Sequence, residues 1–191
     1  MAKKESSFLN MFITLIVICI VSASILGYIY QITKEPIEQA KLNKMLDAIK
    51  QVVPDFNNNP NDEMFSLKTD DGFELEAYPA KLNNELVGTA VKTFTKQGFS
   101  GEVWLMVGFK PDGTIIDISV LEHKETPGLG TKMDDENFKA QYRDQNPKAF
   151  NLKVKKDGGD IDAITAATIS SRAFSDAVNR AYNALMKGGN Q

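Results

Sequence analysis

The chain has 191 residues, 42% of them hydrophobic and 25% charged, which fits one ordinary globular domain plus whatever its ends add. A formal charge of -3 without any basic block excludes a nucleic-acid module, so no nucleic acid is expected as partner. One Cys and one His exclude a disulfide framework and any zinc or iron–sulfur site made from this chain's own Cys and His, so redox chemistry here requires an organic cofactor.

Residues 1–7 carry Lys3 and Lys4, and from Phe8 to Tyr30 no residue is charged. At about 1.5 Å per residue this run reaches about 34 Å, enough to cross a bilayer core, and it predicts a transmembrane helix over 8–30. Phe8 to Ile20 also has the length of a signal-peptide core, with Val21-Ser22-Ala23 in the place of a cleavage site. The apolar run continues past it through Ile25, Leu26 and Ile29, and Tyr28 and Tyr30 stand where interfacial aromatics belong, so the reading is an uncleaved anchor. Lys3 and Lys4 precede the span, whereas Lys34 is followed at once by Glu35 and Glu38. This bias predicts a cytoplasmic N-terminus over 1–7, a single pass through the inner (cytoplasmic) membrane and an extracytoplasmic C-terminal body. Cys19 lies inside the span, facing lipid or packing against a neighbour.

Pro36 suits the first position of a helix, and Ile37, Met45, Leu46, Ile49, Val52 and Val53 recur at near-helical spacing, which predicts a connecting helix over 31–54. Asp55 to Asp62 has turn chemistry. The extracytoplasmic domain, 55–191, then opens with β-rich runs at Phe73–Tyr78, Leu86–Phe94, Val103–Phe109 and Thr114–Leu121, divided by Asp-Gly, Asn-Asn and Pro-Asp-Gly turns. The pattern is an antiparallel meander. The unbroken apolar run Val103–Val107 predicts a strand covered on both faces. With a short helix near Asp135–Asp144 and a C-terminal helix carrying Phe174, Val178, Tyr182 and Leu185 on one stripe and Gly188 at its C-cap, the class is α+β, an antiparallel sheet flanked by helices.

Three stretches are richer in small and polar residues than a plain core requires. Gln97-Gly98-Phe99-Ser100-Gly101 reads as a hairpin loop. His123-Lys124-Glu125-Thr126-Pro127-Gly128-Leu129-Gly130 follows a predicted strand and is either a tight turn or a loop that presents Glu125, Thr126 and backbone N–H groups to a ligand; His123 is a candidate proton carrier, but one His without a matched nucleophile is not a triad. Asp162-Ala163-Ile164-Thr165-Ala166-Ala167-Thr168, followed by Ser170 and Ser171, sets hydroxyls at a helix start, where they cap the helix or help its N–H groups bind an anion such as phosphate. The aspartates before it do not match a calcium loop.

The segment Asp162 to Thr168 resembles the flavinylation motif Asp-x-x-(Ser/Thr)-Gly-Ala-Thr of FMN-binding domains whose flavin is joined through its phosphate to the final threonine, with Ala166 where that family usually has glycine. His123 to Gly130 is similar to a second hallmark of the same family. Size and a single anchor resemble the G subunits of Rnf electron-transport complexes more than the longer C subunits of sodium-translocating NADH:quinone reductases. The resemblance implies covalent FMN on Thr168, attached by a separate flavin transferase. It further implies Thr165, Ala167, Ser170 and Ser171 around the phosphate, Asp162 orienting the motif loop, and Glu125, Thr126, Gly128 and Leu129 lining the flavin. Phe99, Trp104 and Tyr142 are candidate ring neighbours. The function implied is electron relay among membrane and redox subunits of a complex that couples redox chemistry to Na+ or H+ translocation, without a substrate site or catalytic residue of its own. The alternatives are the C-type quinone-reductase subunit and an anchored binding or assembly module without covalent flavin.

Overall fold

A computed structural model describes residues 8–188. The expected cytoplasmic segment 1–7 lies outside the described residues, as do 189–191. The chain forms two compact units, Met1–Asn43 and Lys44–Gln191.

In the first unit runs most of helix α1 (Phe8–Val52). Its apolar side chains are exposed all round, Phe8 at 83% and Leu26 at 71%, a distribution that suits lipid and not water. Pro36 does not start a helix but lies inside α1. Restarting at Pro36 would leave a set of helix-end N–H groups to be capped. The residues just before it, Lys34 and Glu35, are poor caps, and the Thr33 hydroxyl is already bonded back to Ile29 O at 2.9 Å. Continuing through one proline, at about 3 kcal/mol, keeps the hydrogen bonds of the turns on both sides.

In the second unit, five antiparallel strands lie in the order β1 (Phe65–Lys68), β2 (Glu74–Leu82), β3 (Glu85–Thr95), β4 (Val103–Phe109), β5 (Ile115–Glu122). The four strands read from sequence are present, and β1 is an addition: four residues with Leu67 alone buried carry too little alternation to be recognised. β2 runs past Pro79 to Leu82. A proline is tolerated there because β1 has already ended, and Asn58 covers that edge, its side chain donating to Pro79 O at 2.9 Å and accepting from Lys81 N–H at 2.8 Å.

β4 is covered on both faces. Leu105, Val107 and Phe109 pack in the core that holds helix α3 (Thr168–Gly188), whereas Met106 packs with Ala48, Ile49, Val52 and Val53 at the end of α1 and just beyond. α3 buries Ala173, Phe174, Ala177, Val178, Ala181 and Leu185, and its alanines let it approach β3 closely enough for the Thr93 hydroxyl to reach Ala177 O at 3.0 Å. Gly188 is the last residue of α3. The expected helix at Asp135–Asp144 shrinks to α2 (Glu136–Lys139) after a 3-10 turn, Gly130–Asp134. Mutual backbone bonds of Ile115 with Asp144 and Gln145 draw the following chain against β5, with Asp144 at φ +57°, so the helix cannot continue.

Candidate functional site

Three segments meet at the N-terminal end of α3: the β3–β4 connection, the loop after β5 and the motif loop that runs into the helix. Glu125 joins them. Its side chain is buried, one carboxyl oxygen accepts the Ser170 hydroxyl at 2.7 Å, and the other accepts the Ser100 N–H at 3.2 Å. Both neighbouring glycines are required by this closeness. A Cβ on Gly98 would fall 2.7 Å from Glu125 Oε1, and one on Gly130 would fall 2.6 Å from both Glu125 Oε2 and Ser170 Oγ. His123 supports Glu125 from behind, its Nδ1 accepting the Glu125 N–H at 3.2 Å. The loop is closed further by the Gly128 N–H on the Thr131 hydroxyl at 2.9 Å, with Gly128 at φ +75°.

The motif loop turns through Ala166 at φ +61°, with the Ala167 N–H on Ile164 O at 3.0 Å. The turn explains why glycine is usual there in the motif that Asp162 to Thr168 resembles. Ser171 fastens the loop to the helix, its hydroxyl donating to Ala167 O and accepting the Ile164 N–H, at 3.0 and 2.9 Å. The first bond across the helix start is Ser171 N–H to Ala167 O; among the described residues the N–H groups of Thr168, Ile169 and Ser170 donate to no protein acceptor. Such a set of free donors at the positive end of a 21-residue helix favours an anion.

Above this helix start opens a cleft of about 300 Å³ lined by Phe99, Glu125, Thr126, Leu129, Gly130, Ala166, Ala167, Thr168, Ile169 and Ser170. Of the residues expected from sequence, Glu125, Thr126, Leu129, Ala167, Thr168 and Ser170 line it. Thr165, Asp162, Ser171 and Gly128 do not; Thr165 is exposed, and Asp162 pairs with Lys155 at 2.8 Å while its backbone meets Gln141. Phe99, 65% exposed, stands at the cleft, whereas Tyr142 is sealed in the core on Ser175 Oγ at 2.9 Å and Trp104 stacks on Phe94 at 4.7 Å. Burial pushes the Tyr142 phenol well above its usual range.

Ile169 was not anticipated. Its signal is an apolar side chain off the buried stripe of an amphipathic helix, left 46% exposed. Beside the cleft, Lys156 Nζ stands 3.4 Å from Thr168 Oγ1. Free N–H groups, a hydroxyl and a nearby cation at one end, with Phe99, Leu129 and Ile169 as an apolar rim, fit a ligand that joins a phosphate to a flat, largely apolar ring.

The chain is similar to several known proteins. Residues 98–183 match the FMN-binding domain family, a span that contains Phe99, Glu125 and Thr168. The G subunit of the ion-translocating oxidoreductase complex of Vibrio cholerae is 35% identical over 177 residues, covering 87% of this chain and 85% of the relative. The protein of the same name from Pasteurella multocida is 34% identical over 194 residues, covering 94% of each. The crystal structure of Shewanella oneidensis NqrC superposes with a TM-score of 0.48 at 20% identity, over 72% of this chain and 73% of that one. At the identity and coverage shown by the Vibrio and Pasteurella relatives, the chain belongs to the family of G subunits of ion-translocating oxidoreductase complexes.

Proposed function

We propose that this chain is the membrane-anchored flavoprotein subunit that relays electrons within an Rnf-type ion-translocating complex, carrying FMN joined through its phosphate to the Thr168 hydroxyl. The observation that carries this reading is the position of Thr168, in the first turn of α3, facing the cleft beside three N–H groups without protein acceptors. When bound, the flavin supplies reversible electron transfer. The protein does the rest: the free N–H groups of the helix start would hold the negative charge of the phosphate, Glu125 fixes Ser170 and the loop at Ser100, and Phe99, Leu129 and Ile169 would give the ring an apolar surface. Thr165, Asp162, Ser171 and Gly128 act by shaping the motif and loop backbones.

A flavin transferase supplies the group from FAD. The Thr168 Oγ–P bond forms, the P–O bond to the AMP part breaks, and AMP and the hydroxyl proton leave. Segment 8–30 of α1 anchors the chain in the inner membrane, 31–54 connects, 1–7 stays cytoplasmic by its Lys3 and Lys4, and 55–191 works outside. With no Asp, Glu, Lys, Arg or His between Phe8 and Tyr30, the ion path belongs to other membrane subunits, and redox subunits give and take the electrons.

Co-produced with the transferase, the denatured chain should remain fluorescent for flavin on a gel, and Thr168→Ala should lose that fluorescence completely while Thr165→Ala keeps it. Flavin that leaves on denaturation of the wild-type chain, or that survives Thr168→Ala, refutes the linkage. For orientation, a periplasm-dependent reporter fused after Gln191 should be active; activity only of a cytoplasm-dependent reporter refutes the charge-bias argument.

A further inference from the structure

The turn that precedes the motif is built more firmly than a connection requires. Val154 and Ile161 form a parallel bridge, with Lys155 N–H on Ile161 O at 2.8 Å and Ile161 N–H on Lys153 O at 3.1 Å. Between them the chain closes a 3-10 turn, Lys155–Asp157, and returns through Gly159, where a Cβ would fall 1.9 Å from Lys153 O. Asn151 holds Gly158 O at 3.1 Å. The turn is then clamped to α3 by Arg172, whose guanidinium meets both Asp157 oxygens at 2.7 Å; that bidentate contact holds the Asp157 carboxyl below the usual carboxylate range and raises Arg172 above its own.

The ion pairs of this turn are arranged unevenly. Lys155 is taken by Asp162 and Arg172 by Asp157. Lys156, between them in sequence, has no carboxylate within 4.0 Å among the described residues, and its ammonium is directed at Thr168 Oγ1. A clamp that is bidentate on both sides fixes the base of a side chain whose head then rests on a hydroxyl. A hydroxyl is a weak reason to hold a cation there; an ester of phosphoric acid on the same oxygen is a strong one, since a phosphodiester keeps one negative charge at every physiological pH.

We propose that Lys156 is the counter-charge of the phosphodiester at Thr168, a cofactor-binding residue delivered by the Val154–Ile161 turn and locked in place by the Asp157–Arg172 clamp. The proposal rests on the Thr168 reading above. With the phosphodiester in place, Lys156 would donate to a non-bridging phosphate oxygen, and the free N–H groups at the start of α3 would donate to the same group. The same ammonium favours attachment, because the charge that gathers on the phosphoryl oxygens as the ester forms meets a cation already in place.

The test uses the full-length chain in detergent with transferase and FAD, reading the initial rate of in-gel flavin fluorescence and the 31P resonance of the loaded protein. Lys156→Gln should load about fivefold more slowly, Lys156→Glu more than about tenfold, and Lys156→Arg within about twofold of wild type, a range set by one partly exposed charge. The 31P resonance should move in Lys156→Gln and stay near the wild-type position in Lys156→Arg. Lys110→Gln, which removes an equal charge from the pair with Asp144 at 3.0 Å, should change neither. Lys156 variants with wild-type rate and resonance overturn the proposal while leaving Thr168 as the attachment site. A slow rate with an unmoved resonance also overturns it, since Lys156 would then meet the transferase and not the phosphate. A wild-type chain that takes up no flavin at Thr168 refutes the earlier reading instead.

Discussion

The two ends of α3 each open on a cleft, of about 300 Å³ at the N-terminal end and about 260 Å³ at the C-terminal end, and they differ in how their polar groups are spent. At the C-terminal end the groups are charged and paired with one another, although Arg180 Nε is buried without an acceptor among the described residues. Arg180 pairs with Asp71 at 2.7 Å, Lys187 with Asp70 at 2.6 Å, and the Thr95 hydroxyl donates to Asp176 at 2.6 Å. The Arg180 guanidinium also lies over Phe94 at 5.2 Å. The Thr69 hydroxyl and Arg180 together hold the Asp71 carboxyl below its usual range. Lys187 in the last turn answers the negative end of the helix from within the protein. At the N-terminal end only Glu125 among the cleft-lining residues is charged, and both its oxygens are engaged, while the helix N–H groups stay open and the Thr168 hydroxyl meets only the Lys156 ammonium at 3.4 Å. Size does not separate the two clefts. What separates them is whether the helix end has already been given its counter-charge.

Removing a charged group from each cleft should therefore lower stability in both cases but slow flavin loading in only one. Glu125→Ala leaves the Ser170 hydroxyl and the Ser100 N–H without their acceptor in a buried place and should lower stability by about 2 kcal/mol, with flavin loading falling alongside because the loop no longer holds Ser170. Glu125→Gln keeps an acceptor and a donor in the same place and should cost less than about 1 kcal/mol. Arg180→Ala removes an ion pair and a ring contact and should cost about 1 kcal/mol while loading stays at the wild-type rate. Thermal unfolding of the detergent-solubilised chain, with the gel assay beside it, measures both; Arg180→Ala chains that unfold normally yet fail to load would erase the distinction between the two ends.

How legible each part was in the sequence follows from what fixes it. β3 and β4 were readable because long β-branched and apolar runs are enclosed by turn residues, and α3 because its stripe recurs for about three turns. β1 depends on Leu67 alone, and the continuity of α1 through Pro36 depends on there being no good cap before it, a negative signal that spacing does not carry. At the site, Glu125 and Thr168 were marked by the small residues around them, since a loop in which a Cβ on Gly130 would fall 2.6 Å from a carboxyl oxygen needs glycine there. The roles within the motif were not marked. Ser170 and Ser171 are adjacent hydroxyls, and only the helix phase turns one into the cleft on Glu125 and the other back to Ala167 O. Lys156 lies twelve residues before Thr168 and comes to it through the Asp157–Arg172 clamp, a tertiary pairing that no local pattern announces.

The smallest effect tests the one place where the sequence departs from the motif it resembles. Ala166 holds φ +61°, a left-handed conformation in which its Cβ crowds the backbone, at a cost of about 1 kcal/mol that glycine does not incur. Glycine also frees the unfolded chain, which offsets part of the gain, but at a residue whose native φ is positive the folded-state relief is the larger effect. Ala166→Gly should therefore raise stability by up to about 1 kcal/mol, about 2–4 °C in Tm for a chain of this size. Ala166 is exposed at the cleft, so no packing is lost with its methyl group, and loading should be at least as fast as in wild type because the approach to Thr168 is wider. A lower Tm would mean that the methyl contributes more to the folded turn than the left-handed geometry costs, and the C-terminal cleft, which contains no such strained residue, would then be the better guide to how this helix is held.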